Sequence, residues 1–227
     1  LNDFFGVTNG QAVALEHIPV LRLESLHAAM AARVAAGCRV SALFGAASPH
    51  PGVTRLYAVL ADDEQNRLSA AAADVANDAY PSLTPRCAQV HLFEREIAEQ
   101  FGLRPEGHPW LKPVRYRRSW TGRDAWHRPQ GEAILPAVGD FYRVEGEQVH
   151  EVAVGPVHAG VIEPGHFRFQ CHGEQVFHLE IALGYQHRGI EEALLGGPDA
   201  RTIHLAETLS GDASVAQDCM VRARAIV

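Results

Sequence analysis

From Arg104 to Gln148 the sequence loses periodicity and fills with Pro, Gly, Arg and Trp. Such a stretch builds neither an amphipathic helix nor an alternating strand, so it predicts a wrapping segment and a linker. The boundary is expected near Arg128–Gly139. The chain is therefore read as two domains, residues 1–127 and 148–227, joined by residues 128–147. Its 227 residues suffice for one large domain or two small ones with a substantial core.

Before that stretch the sequence alternates between strand and helix signals. His17–Leu23 alternates as a short strand does, and Glu24–Ala36 is rich in Ala, Leu and Met before Gly37 stops it. Arg39–Phe44 and Thr54–Leu60 are β-type runs around the turn-forming Ala47-Ser-Pro-His-Pro-Gly52. Arg67–Ala76 fits two readings: its alanines favour helix, while its place after two strands favours a third strand. Thr84-Pro85 reads as a helix start. The helix then carries Val90, Phe93, Ile97 and Phe101 on one face, with Glu94 at its edge and Gly102 near its end. Arg95 and Glu99 are spaced to pair on the opposite side.

After the linker, Val149–Val154, His166–Cys171 and Gln175–Ala182 read as strands, the last two joined by a turn at His172-Gly173. Arg188–Leu195, Arg201–Leu209 and the residues from Asp212 onward read as helical. The predicted fold class is α+β: a sandwich-like N-terminal α/β domain, then a partial domain of β-hairpin strands and helices.

Composition narrows the function classes. A formal net charge of -7 and a pI of about 6.0 exclude a basic nucleic-acid footprint. The cluster Arg115, Arg117, Arg118 and Arg123 reads instead as an exposed linker or a partner contact. No run of eighteen apolar residues occurs, so no membrane span is expected, and Leu1–Gly6 lacks the features of a secretion signal. Cys38, Cys87, Cys171 and Cys219 are far apart and form no CxxC, which fits reduced thiols in a cytoplasmic setting. Four histidines, His158, His166, His172 and His178, recur around the predicted hairpin. Without carboxylate or cysteine company they read as turn or surface residues rather than zinc ligands, and no metal site is assigned.

Two sets of motifs carry a family resemblance. Tyr80-Pro-Ser-Leu-Thr-Pro85, Phe93-Glu-Arg-Glu-Ile97, Phe101-Gly102 and Glu106-Gly-His-Pro109 follow one another in order. This series resembles the 30-kDa subunit family of NADH–quinone oxidoreductase. Gly155-Pro-Val-His158, Ile162-Glu-Pro-Gly-His-Phe-Arg168 and Gly184-Tyr-Gln-His-Arg-Gly-Ile-Glu191 form the second series. It resembles the start of the 49-kDa subunit family and its relatives, the large subunits of membrane-bound [NiFe] hydrogenases. Fusion of the two modules in one chain resembles the large subunits of formate hydrogenlyases. By this resemblance the complete second domain is much longer than the stretch after Gly155, so residues 148–227 are expected to be its opening part.

The resemblance implies a first domain that binds no cofactor and docks beside the large subunit. The large subunit would pack against a small partner carrying a [4Fe-4S] cluster, with a quinone pocket or a nickel–iron site between them. His158 matches a histidine that hydrogen-bonds a quinone head group, and Glu163 a glutamate that relays protons. Both are the candidate catalytic residues. Turn stabilisation by His158, and pairing of Glu163 with Arg168, are the structural alternatives. Partner-interface roles fall to Glu94, Arg95, Glu96, His108, His187, Arg188 and Glu191. Thr208-Leu-Ser-Gly-Asp212 lies where hydrogenases carry a CxxC, so the thiolates that hold nickel and iron are missing there. The implied protein is an oxidoreductase subunit with no cofactor of its own, peripheral to the inner membrane on its cytoplasmic side and associated with membrane subunits. A non-catalytic scaffold that has lost its redox site is the alternative.

Overall fold

A computed structural model describes residues 3–8, 10–135, 139–157, 164–185, 189–194, 201–202 and 204–205. The chain divides into two compact units, Leu1–Leu135 and Pro136–Val227. Helices and sheets are mixed in an α+β arrangement.

The first unit is organised by a five-stranded sheet. β1 (Phe5–Val7) and β2 (Val20–Leu21) pair along one edge of β5 (Arg67–Val75), antiparallel and parallel respectively. β5 pairs antiparallel with β4 (Thr54–Asp62), and β4 with β3 (Arg39–Ala47). The alanine run of β5 is thus a strand. Ala58 sits opposite Ala71, and Leu56 opposite Ala73, all fully or almost fully buried. Cross-strand partners on both sides override the helical preference of alanine. α1 (Leu23–Ala35) packs Leu26 and Met30 onto this face, with Leu43, Leu56 and Leu60 in the same core.

Two expected boundaries move. Only Val20–Leu21 of the run His17–Leu23 is strand; His17 ends a 3-10 turn, Leu15–His17, and Leu23 already opens α1. The second helix does not start at Thr84-Pro85. Those residues form a turn, a 3-10 segment follows at Ala88–Val90, and α2 runs His91–Phe101. The Thr84 hydroxyl donates to the Glu94 carboxylate, a longer-range acceptor, instead of capping a helix. Two short strands, β6 (Ala79–Pro81) and β7 (Arg104–Glu106), pair in parallel around α2.

Gly102 ends α2 with φ of 64°. A Cβ there would lie 2.5 Å from the Arg123 backbone carbon. Glycine is thus required both by the left-handed conformation and by the closeness of the following chain.

In the second unit β8 (Val149–Val157), β9 (Gly165–His172) and β10 (Gln175–Ala182) form an antiparallel sheet in the order β10-β9-β8. A four-residue helix, α3 (Ile190–Ala193), comes next. Among the described residues no helix is long and apolar enough to cross a membrane.

Candidate functional site

The charged motif on α2 faces inward. Glu94 is 0% exposed, and its carboxylate accepts hydrogen bonds from the Ser82 hydroxyl at 2.6 Å, the Leu83 N–H at 2.8 Å, the Thr84 N–H at 3.1 Å and the Thr84 hydroxyl at 2.5 Å. A buried carboxylate is tolerated only where donors replace its water, and here four do. Beside it the Tyr80 hydroxyl is enclosed and meets no hydrogen-bond geometry among the described residues. Burial, helped by the charge of Glu94, raises its ionisation well above the ordinary range.

Arg95 and Glu99 are also buried, 8% and 2% exposed, and both hold the segment 112–117. Arg95 donates from Nε to the Lys112 carbonyl at 2.8 Å and from Nη2 to that of Pro113 at 2.9 Å. Glu99 accepts from the backbone N–H groups of Val114, Arg115 and Arg117 at 3.1, 2.8 and 2.9 Å. Tyr116 between them takes φ of 57°, so that its neighbours' amides converge on one carboxylate. Glu96 pairs with Arg115. Further along, the Gln100 carbonyl accepts from the Trp120 N–H at 2.8 Å, and that of Phe101 from the Thr121 hydroxyl at 2.8 Å. The segment 112–121 is therefore a strap fastened along one side of α2.

The arginine-rich strap is not a free cationic surface. Arg123 pairs with Asp78 and also donates to Thr54, Arg128 pairs with Asp124, and Arg118 donates to the Glu132 carbonyl. Arg117 lies 4.9 Å from the Trp120 ring centroid. His108, from the Gly-His-Pro motif, packs on His91 at the start of α2, with ring centroids 5.1 Å apart.

The second unit's sheet has two unlike faces. One carries Glu151, Arg168, Gln170, His178 and Glu180. Gln170 donates to Glu151 at 2.7 Å, and Arg168 lies 3.3 Å from the same carboxylate. The segment around residues 141–144 covers this face: the Tyr142 N–H donates to Glu180 at 2.8 Å, and Arg168 lies 4.1 Å from the Phe141 ring. The register puts Val152, Phe169 and Leu179 in one row of the other face, and Val154, Phe167 and Ile181 in the next. Val152, Val154, Val176, Leu179 and Ile181 remain 42–50% exposed. A row of aliphatics left facing outward is the usual mark of a contact surface.

Of the residues singled out from sequence, His158, Glu163, His187 and Arg188 lie outside the described residues, as does the side chain of Glu191, whose backbone is in α3. β8 ends at Val157 and β9 begins at Gly165, and these two residues pair. Glu94 and Arg95 are enclosed by their own chain, so a partner would meet them only through the segments they hold. Glu96 and His108 are partly exposed. His166, His172 and His178 contact the Gly155 carbonyl, Gln148 and the Tyr142 ring respectively. Among the described residues no three His, Cys, Asp or Glu come together as a metal-ligand set. Burial raises the ionisation of the Cys87 thiol, away from the thiolate form that binds metals.

Sequence reasoning missed Glu99 as a fastener, and the open aliphatic face. Both had a signal: an acid one helical turn after Arg95, and alternation in each of three strands.

This helix, with its inward acid and its strap, lies within residues 21–130, which match the family of the respiratory-chain NADH dehydrogenase, 30 Kd subunit. That segment, just under half of the chain, is similar to this family. Among curated proteins, the chain is 29% identical over 128 residues to formate hydrogenlyase subunit 5 of Escherichia coli (strain K12), covering 52% of this chain and 22% of the relative. It is 32% identical over 127 residues to hydrogenase-4 component G of the same strain, covering 52% and 23%. It is 26% identical over 136 residues to the C/D subunit of the NADH-quinone oxidoreductase of Methylococcus capsulatus, covering 50% and 23%. The matches thus span 22–23% of the length of these relatives.

Proposed function

We propose that the chain works as a subunit of a membrane-associated electron-transfer oxidoreductase of the NADH–quinone oxidoreductase and membrane-bound hydrogenase superfamily. The observation that carries this reading is one chain in which a segment of the 30 Kd family is followed by a sheet with its aliphatic face bare. Such a face is suited to a second polypeptide. The small iron–sulfur subunit is the proposed occupant, with the assembly peripheral to the cytoplasmic side of the membrane. The chain alone has no turnover.

In this reading the loop between β8 and β9 carries the chemistry. The strands that flank it pair at Val157 and Gly165. The partner's [4Fe-4S] cluster, when present, supplies electrons. His158 donates a hydrogen bond and a proton to a quinone carbonyl as that carbonyl gains electrons. Glu163 passes protons to and from the site. His187, Arg188 and Glu191 face the partner, while Glu94, Arg95, Glu96 and His108 shape the first unit's docking surface, the first two through the backbone they fasten. No step is assigned to nickel and iron, since Thr208–Asp212 contains no cysteine.

Reconstitution tests the assignment. In the complete complex, His158→Ala and Glu163→Gln are each expected to lower quinone reduction or proton-coupled turnover by about 10²-fold or more. Full electron transfer in both variants would show the roles to be wrong. The missing CxxC favours a second reading, a scaffold without redox chemistry. A purified complex holding no iron or nickel and reducing no quinone would decide for it.

A further inference from the structure

The loop after β7 returns to the start of α2, and there both ring nitrogens of His108 are engaged. Nε2 lies 3.1 Å from the His91 carbonyl oxygen, and the Trp110 N–H donates to Nδ1 at 3.1 Å. A carbonyl only accepts and an amide N–H only donates. The two contacts therefore select a single tautomer, with the proton on Nε2 and the lone pair on Nδ1. We propose that His108 is a proton-operated latch: neutral, it ties residues 108–111 to the first turn of α2; protonated, it lets Trp110 go.

The reason is steric and electrostatic at one atom. Protonation places an N–H on Nδ1, pointing at the N–H of Trp110, so an attractive contact becomes donor against donor. The contact to the His91 carbonyl survives, because Nε2 keeps its proton. Movement is confined to the loop ahead of the strap, since Arg95 grips the carbonyls of Lys112 and Pro113 immediately beyond.

The titratable and charged groups felt by the ring come from α2, namely His91, Glu94 and Arg95. Burial lowers the His108 pKa from its ordinary value of 6.5; the bond to His91 and the charge of Glu94 oppose this, and Arg95 adds to it. His91 is lowered as well, by burial first and then by Arg95 and His108.

The test follows ring and amide separately in the full chain. With ¹⁵N-labelled protein taken from pH 8 to pH 5, the Trp110 amide resonance is expected to move with the His108 ring at one shared midpoint below 6.5. Its exchange rate, corrected for intrinsic pH dependence, should rise about tenfold, the loss of one hydrogen bond. His108→Asn keeps an acceptor near the Nδ1 position but cannot titrate. It should abolish the Trp110 transition while His91 still titrates. In His91→Gln the transition should persist. A Trp110 amide that ignores the titration of His108, that still shifts in His108→Asn, or that stops shifting in His91→Gln would overturn the latch.

Discussion

The two units turn opposite chemistry inward. In Leu1–Leu135 the buried acids Glu94 and Glu99 and the buried Arg95 act as fasteners inside the fold, while the aliphatics of α1, β3 and β4 close a core. In Pro136–Val227 the polar face of the sheet is the one covered, by the unit's own segment around Phe141 and Tyr142, and the aliphatic face is the one exposed. A fold normally reverses that choice, because burying aliphatic area stabilises more than burying paired polar groups. The contrast teaches that burial of charge reports a structural fastening in the first unit, while exposure of carbon in the second marks the face proposed for a partner.

The largest expected effect breaks the first half of that contrast. Glu94→Ala strands two hydroxyls and two backbone amides in the interior and should cost about 3–5 kcal/mol, read by chemical denaturation. A cost under about 1 kcal/mol would mean that the acid is not a fastener. Glu99→Ala should cost somewhat less, about 2–4 kcal/mol, because the strap can reach water. Its signature is local: amide exchange should accelerate at Val114, Arg115 and Arg117 before the sheet amides respond, and Glu99→Gln should restore part of the protection.

Acidification gives a smaller, graded effect. His27, His91 and His108 all have folded-state pKa values lowered chiefly by burial. The unfolded chain therefore takes up protons near pH 6.5 that the folded chain refuses, and its stability is fully present above that pH. Melting temperature should stay level above 6.5 and decline as the pH falls towards the folded-state values. A melting temperature that rose on acidification would contradict the sign.

The smallest effect on the isolated chain sharpens the second half of the contrast. Leu179→Asp and Ile181→Asp should change its stability by no more than about 0.5 kcal/mol, since those positions are half exposed. In the assembled complex the same substitutions should weaken subunit association by about 10–100-fold, measured by pull-down titration or mass photometry. Severe unfolding of the isolated chain would show the face to be part of its own core instead.

Much of the fold is legible in the sequence because its signals are local. Gly37 and Gly102 mark helix ends, and Arg39–Ala47 and Thr54–Asp62 announce themselves by β-type runs around a proline- and glycine-rich turn. The alanine strand Arg67–Val75 is ambiguous in sequence, because propensity and pairing disagree there and only the neighbours decide. The start of α2 is misread for a related reason: the Thr84 hydroxyl finds its acceptor ten residues away, beyond any capping rule. The motif Glu94-Arg-Glu96 is visible, but not that its first two charges point inward, since helical spacing alone puts Arg95 and Glu99 on the far side of the apolar stripe. What covers that side is a strap of irregular backbone, and irregular backbone has no period to read.

The grip of Glu99 has one more consequence. It holds the strap by main-chain amides, groups that every residue except proline possesses, and is indifferent to which side chains those residues bear. Selection could therefore redecorate this edge for a different neighbour while the path of the polypeptide stays put. A constant frame with replaceable ornament would let one module serve in several unlike assemblies.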